Sequence, residues 1–135
     1  MNLFIVELKD QPGTLAGLAE ALATKGINIE SIGGIESGGT GTPALLTNDE
    51  DSARKALAEA GYTIRETEVA TVALEHKPGT FAAAAKKLAD AGINVTAVLP
   101  IPMAEGKVGV AFATDQPAKA RELLGSGART SVGVG

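Results

Sequence analysis

The chain has 135 residues, 44% hydrophobic, 21% charged and 3% aromatic, with a formal net charge of −4. That is the balance of a soluble globular protein, and its acidity speaks against nucleic acid and anionic membrane, which are bound by basic surfaces. Cysteine is absent, so disulfides, thiolate catalysis and cysteine metal sites are excluded, and no window approaches the roughly 18 apolar residues of a membrane span. The first residues, MNLFIVELKD, run straight into a strand-like segment without a basic leader, so a cytoplasmic location is expected.

Leu3 to Leu8 alternates, with Phe4, Val6 and Leu8 on one face, and predicts an opening strand. Pro12-Gly13 ends it, and Leu15, Leu18, Ala19 and Leu22 then recur at the spacing of an amphipathic helix. Gly26 is placed to stop that helix in a left-handed turn. A second strand, INIESIGGI, and a weakly patterned third near Thr42 to Thr47 follow. Thr47-Asn48-Asp49-Glu50 has the form of a capping box, and Ala53, Ala56, Leu57 and Ala60 make a second helical stripe. Tyr62 to Glu66 forms the last strand.

The series then begins again. Shifted by 66 residues, Pro12 to Asn28 falls on Pro78 to Asn94 with ten of 17 positions identical and no gap. The same shift places Asp49 on Asp115 and Leu57 on Leu123. The second copy has a strand at Val72 and Leu74, a helical stripe at Phe81, Ala84, Ala85 and Leu88, and Gly92 as its stop. The strand INVTAVLPI comes next, then a strand with Val108, Val110 and Phe112 on one face, and a helix beginning near Asp115-Gln116-Pro117. A final strand is expected roughly over Ala128 to Val134. The chain is therefore read as two units, 1–67 and 68–135, each of order βαββαβ. A right-handed crossover with both helices on one face gives an α+β fold of two tandem ferredoxin-like units, each an antiparallel sheet with helices on one face. With Phe4, Val6 and Leu8 toward the helices, Leu3 and Ile5 point to the opposite face, which a second copy would cover. A homodimer is the expectation.

Asp-Gln-Pro-Gly-Thr-Leu-Ala at Asp10 to Ala16, followed by Gly-Ile-Asn-Ile-Glu-Ser-Ile at Gly26 to Ile32, resembles the ACT domain family. His-Lys-Pro-Gly-Thr-Phe-Ala from His76 and Gly-Ile-Asn-Val-Thr-Ala-Val from Gly92 repeat it, so the resemblance covers nearly the whole chain. It implies a small ligand-binding module that regulates amino-acid metabolism, often as an appendage of a biosynthetic enzyme. It also implies a ligand lying between two units, touching the Pro-Gly loop of one and the Asn that opens the second strand of the other.

The chemistry of the residues suits an amino acid. The N–H groups of Gly13, Thr14 and Leu15 begin a helix, where free donors and the dipole favour a carboxylate. Asp10 offers an acceptor for an ammonium, and Asn28 and Asn94 each offer both an acceptor and a donor. In the second unit the matching set is His76, Gly79, Thr80 and Phe81. A crossed arrangement is expected, Asn94 completing the Asp10/Gly13 site and Asn28 the His76/Gly79 site. Each residue also has a plainer role open to it: Gly13 and Gly79 as turn formers, the two asparagines as residues leaving a helix cap, Asp10 and His76 as solvated loop positions. The side chains of the pocket favour small apolar or polar amino acids over bulky ones. No nucleophile is placed beside the lone His76, so no catalysis is expected, and neither metal nor cofactor. Gly33 to Gly41 does not fit a phosphate-loop pattern and is read as a flexible hairpin connection. The partners expected are a small-molecule amino acid and an amino-acid biosynthetic enzyme. The alternative is an interaction subunit that docks on such an enzyme without binding a ligand of its own.

Overall fold

Alternating apolar residues become strands and the 3.6-residue stripes become helices in the computed structural model, which describes residues 1–103 and 106–124. The chain divides into two compact units, Asn2–Thr67 and the part from Glu68 onward together with Met1.

The first unit contains β1 (Asn2–Val6), β2 (Leu8–Lys9), α1 (Thr14–Ala23), β3 (Ile29–Ser37), β4 (Thr40–Thr47), α2 (Glu50–Glu59) and the start of β5 (Ile64–Glu75). β4 is antiparallel to β3 along its whole length, from Ile29 opposite Thr47 to Ser37 opposite Thr40. On its other side it pairs with β1, Phe4 opposite Leu45, and with β2, Leu8 opposite Gly41. The approach to β5 runs beside β1: the Glu7 N–H donates to the Thr63 carbonyl at 3.2 Å, and the Asn2 amide donates to Glu66 Oε2 at 2.5 Å. Phe4, Val6 and Leu8 face Leu18 and Leu22 of α1 and Ala53, Ala56 and Leu57 of α2, forming one core. Burial of these alternate residues holds the register, because a one-residue slip would turn all of them to the other face. Leu3 differs from expectation: it is fully buried within one copy, and only Ile5 is half-buried. Leu15 differs as well. It stands in the first turn of α1, clear of the core, and is 54% exposed.

The second unit contains the rest of β5, α3 (Thr80–Asp90), β6 (Val95–Ile101), β7 (Lys107–Thr114) and α4 (Pro117–Leu124). β7 lies antiparallel to β5 (Val69 opposite Ala113) and to β6 (Val98 opposite Phe112). Its core joins Ala70, Ala84, Leu88, Val110, Phe112 and Ala120. The strand expected over Ala128 to Val134 lies outside the described residues. The architecture is α+β, with two tandem ferredoxin-like units.

Three sequence expectations shift in detail. The strands predicted around Tyr62–Glu66 and Val72–Leu74 are a single strand, β5, since no turn residue interrupts Ile64 to Glu75. The cap of α2 is Asp49 rather than Thr47: its carboxylate accepts from the Ser52 N–H at 3.1 Å and the Ser52 hydroxyl at 2.7 Å. The repeat does not keep one spacing. Ile35 opposite Thr42 corresponds to Ile101 opposite Gly109, so the shift is 66 before the hairpin turn and 67 after it. Asp49 therefore matches Gln116, and Leu57 matches Leu124, the helices starting at Glu50 and Pro117.

Candidate functional site

Each unit turns from its first strand into its first helix by the same construction. Gly13 adopts φ 93° and Gly79 φ 92°, the left-handed region that an L side chain rarely enters. The next residue ties the loop: the Thr14 hydroxyl lies 2.8 Å from the Lys9 carbonyl and 3.0 Å from that of Gln11. Thr80 repeats this with Glu75 at 2.7 Å and Lys77 at 3.1 Å. The Thr14 N–H is not free as expected, since it donates to the Gln11 carbonyl at 3.4 Å, and the Thr80 N–H donates to Lys77 at 3.5 Å. The N–H groups of Gly13 and Leu15 have no acceptor among the described residues. A helix start with free donors is a place where an anion is favoured.

In the first unit this loop forms one side of a cleft of about 440 Å³. Lys9, Asp10, Gln11, Thr14 and Leu15 line that side. The β3–β4 hairpin forms the other, with Ile32 to Glu36 and Gly41 to Pro43. Hydrogen bonds fasten hairpin to loop: the Asp10 N–H donates to the Gly39 carbonyl at 3.1 Å, and Glu36 Oε2 accepts from the Gly39 N–H at 2.9 Å. The side chains of Lys9 and Asp10 are exposed and have no partner among the described residues. A cleft of this size with apolar walls and a few polar groups at its lip suits a small molecule. The hairpin wall is the part that sequence reasoning missed. Its signal was the pair Ile32 and Ile35 flanking two glycines, a stretch read as the end of a strand leading into a flexible connection and not as a cleft wall.

The second unit has a corresponding cleft of about 430 Å³, lined by Leu74, Glu75, His76, Thr80, Phe81 and Val108 among others. Glu75 is engaged by Lys107 Nζ at 2.6 Å, and the Phe81 ring stacks on Phe112 with centroids 5.8 Å apart. His76 is exposed.

The two asparagines stand elsewhere in their own units. Asn28 follows the far end of α1, whose ten residues span roughly 15 Å, so it does not reach the Asp10 cleft of its own unit. Its backbone is pinned: the Asn28 N–H donates to Asn48 Oδ1 at 2.9 Å and its carbonyl accepts from the Asn48 N–H at 3.2 Å. Asn94 and Asp115 make the same pair at 2.9 and 3.1 Å. Both asparagine side chains are exposed, without a partner among the described residues.

Comparison with known proteins places this geometry. The family model of the ACT domain matches residues 2–61, and the model of an ACT domain pair matches residues 41–127. No curated protein sequence matches significantly. Among solved structures, protein BT0572 from Bacteroides thetaiotaomicron is similar with a TM-score of 0.80 at 22% identity, over 91% of this chain and 85% of that one. The ligand-free regulatory subunit of aspartate kinase from Thermus thermophilus has a TM-score of 0.65 at 20% identity, over 91% and 88% of the two chains. The corresponding subunit from Thermus flavus gives 0.64 at 24% identity, over 91% and 86%. At these identities the likeness is one of fold. Both family models, the duplicated Pro-Gly loop and the ferredoxin-like units agree: this chain belongs to the ACT domain family and carries the domain as a tandem pair.

Proposed function

We propose that this chain is a non-catalytic regulatory protein that binds an amino acid at the interface between its two ACT units. The observation that carries the reading is the cleft of the first unit, where an apolar wall faces the free charges of Lys9 and Asp10 beside the start of α1. The Asp10 carboxylate accepts from the ligand ammonium, while Lys9 and the unpaired N–H of Leu15 receive its carboxylate. In the crossed arrangement Asn94 completes this site, and Asn28 completes its counterpart around His76, Gly79, Thr80 and Phe81. A regulatory role is supported by the likeness in fold to the regulatory subunits of aspartate kinase. The partner is accordingly an enzyme of amino-acid metabolism, and the working form is a homodimer.

A thermal-shift screen against the twenty amino acids at about 1 mM tests this. A ligand at tenfold its Kd stabilises the folded state by about 1.4 kcal/mol. The expected outcome is a raised Tm with one or a few amino acids, abolished by Asp10→Ala and by Asn94→Ala. If no amino acid raises the Tm, the binding reading fails and the interaction subunit takes its place.

A further inference from the structure

Each unit has an edge strand that pairs on one side only among the described residues, β3 with β4 in the first and β6 with β7 in the second. The two edges differ in backbone more than in apolar exposure: Ile32 is 44% exposed and its counterpart Val98 47%. Successive residues of an antiparallel strand turn their N–H and C=O alternately toward and away from the neighbour. The Asn48 N–H donates to the Asn28 carbonyl, so Leu46, Ala44 and Thr42 also face β3, and Ser31, Gly33 and Ile35 opposite them face inward. The two-residue turn Gly38-Gly39, with φ of 59° and 85°, agrees in phase, since it makes the flanking Ser37 and Thr40 a hydrogen-bonded pair. Ile32, Gly34 and Glu36 therefore present N–H and C=O to the free edge. In the second unit the Asp115 N–H donates to the Asn94 carbonyl, and the same count turns outward Val98, Pro100 and, just past the strand, Pro102. Proline has no N–H to give, and two at alternate positions close an edge to a further strand. Their counterparts in the first unit are Gly34 and Glu36, which keep their donors.

We infer that the outer edge of β3 is a docking site for an extended segment of a partner protein, aliphatic on both faces and basic near its ends. Strand addition forms main-chain bonds at Ile32, Gly34 and Glu36. The two exposed isoleucines of β3 lie on opposite faces of the sheet. Ile32 is opposite Leu45 of the core, on the helix side, and Ile35, 73% exposed, is on the other side. An added strand thus covers one isoleucine with each of its faces. Charge selects the occupant. Glu30 and Glu36 each stand one residue from an end of β3, and the strand carries no cation. A second copy on the same edge would bring two carboxylates from each strand to one seam without a cation, whereas lysine or arginine on a foreign strand neutralises them. The inference rests on the reading above for the existence of a partner, and it does not depend on amino-acid binding.

Two synthetic peptides test it on the full chain. Each is a short run of valine and threonine with valine on both faces when extended, one ending in lysines and the other in glutamates. Amide exchange read by NMR should slow at Ile32, Gly34 and Glu36 with the lysine-ended peptide, which should bind roughly tenfold more tightly than the other. Glu36→Pro, which reproduces Pro102 at the matching position, should abolish that protection. Glu30→Lys/Glu36→Lys should reverse the preference between the peptides, a result that misfolding cannot imitate. Protection by neither peptide, or by both equally, would overturn the inference. So would protection of the three amides without peptide as protein concentration rises, which would assign the edge to a second copy. The thermal-shift screen reads amino-acid binding separately. A raised Tm without peptide protection would leave that reading standing, and peptide protection without a raised Tm would leave a docking subunit with no ligand of its own.

Discussion

Two glycines of this chain are required for different reasons, and substitution separates them. Gly13 has open space around the position of a Cβ, but its φ of +93° lies where L side chains are strained. Gly13→Ala is expected to cost about 1–3 kcal/mol through the backbone alone, and denaturant unfolding would measure it. Gly109 lies in strand β7 and is not in the left-handed region. Its constraint is volume, since Ile101 and Met103 already occupy the space. Gly109→Ala is expected to cost about 1–3 kcal/mol by overpacking. In Gly109→Ala/Ile101→Ala, which removes the clashing Cγ1, the combined loss should be smaller than the sum of the two single losses. The same relief applied beside Gly13 should recover none, because no atom lies in the way there.

Helix α2 is held to its unit by charges as well as by its apolar face. Arg54 donates to Glu66 through Nε at 2.7 Å and Nη2 at 2.5 Å, and through Nη1 to Asp51 at 2.8 Å, with its guanidinium 6.0 Å from the Phe4 ring centroid. The Arg54 hydrogen bonds hold the Glu66 carboxyl below its ordinary value of 4.5, burial partly opposing them, and the Asn2 amide adds to the effect. Asp49, at the cap, is lowered from 3.8 by its bonds to the Ser52 hydroxyl and N–H. A carboxylate with a depressed folded pKa stabilises the fold above its unfolded pKa, and that contribution is lost as pH falls through the folded value. Stability should therefore decline below about pH 4.5, and Glu66→Gln should lower the Tm at neutral pH while flattening its acid dependence. Parallel Tm–pH curves for the two proteins would contradict this. At this scale the sequence was informative. Period-2 and period-3.6 patterns located the helices and most strands, because burial on one face enforces both. The joining of two strands into β5 was not legible, since a polar run such as Arg65-Glu66-Thr67-Glu68 looks the same in a loop as in an exposed strand.

Over the whole molecule the duplication is visible in packing as clearly as in sequence. Leu22 and Leu88 occupy matching positions, and each is fully buried in the core of its own unit. Leu22→Ala and Leu88→Ala should each cost about 2–5 kcal/mol, and similar losses in urea titrations of the two variants would be the signature of equivalent cores. The clefts were only half legible in this way. The loop side carries a local motif, Pro-Gly-Thr, whereas the hairpin side is defined by which face of β3 is left uncovered, a property of tertiary packing with no short signature. The single extra residue between Ile101 and Gly109 shows what a duplicated fold accepts as its copies drift apart. Inserted within a strand, it would have reversed the inward and outward faces of everything beyond it. Lying between the paired strands, it leaves the alternation of β7 in step with that of β4, so that Leu45 and Phe112, 67 residues apart, are each buried in the core of their own unit. Laboratory evolution that permits length changes should find its tolerated insertions at this same point, and a short peptide tag carried there would report on the protein without disturbing either core.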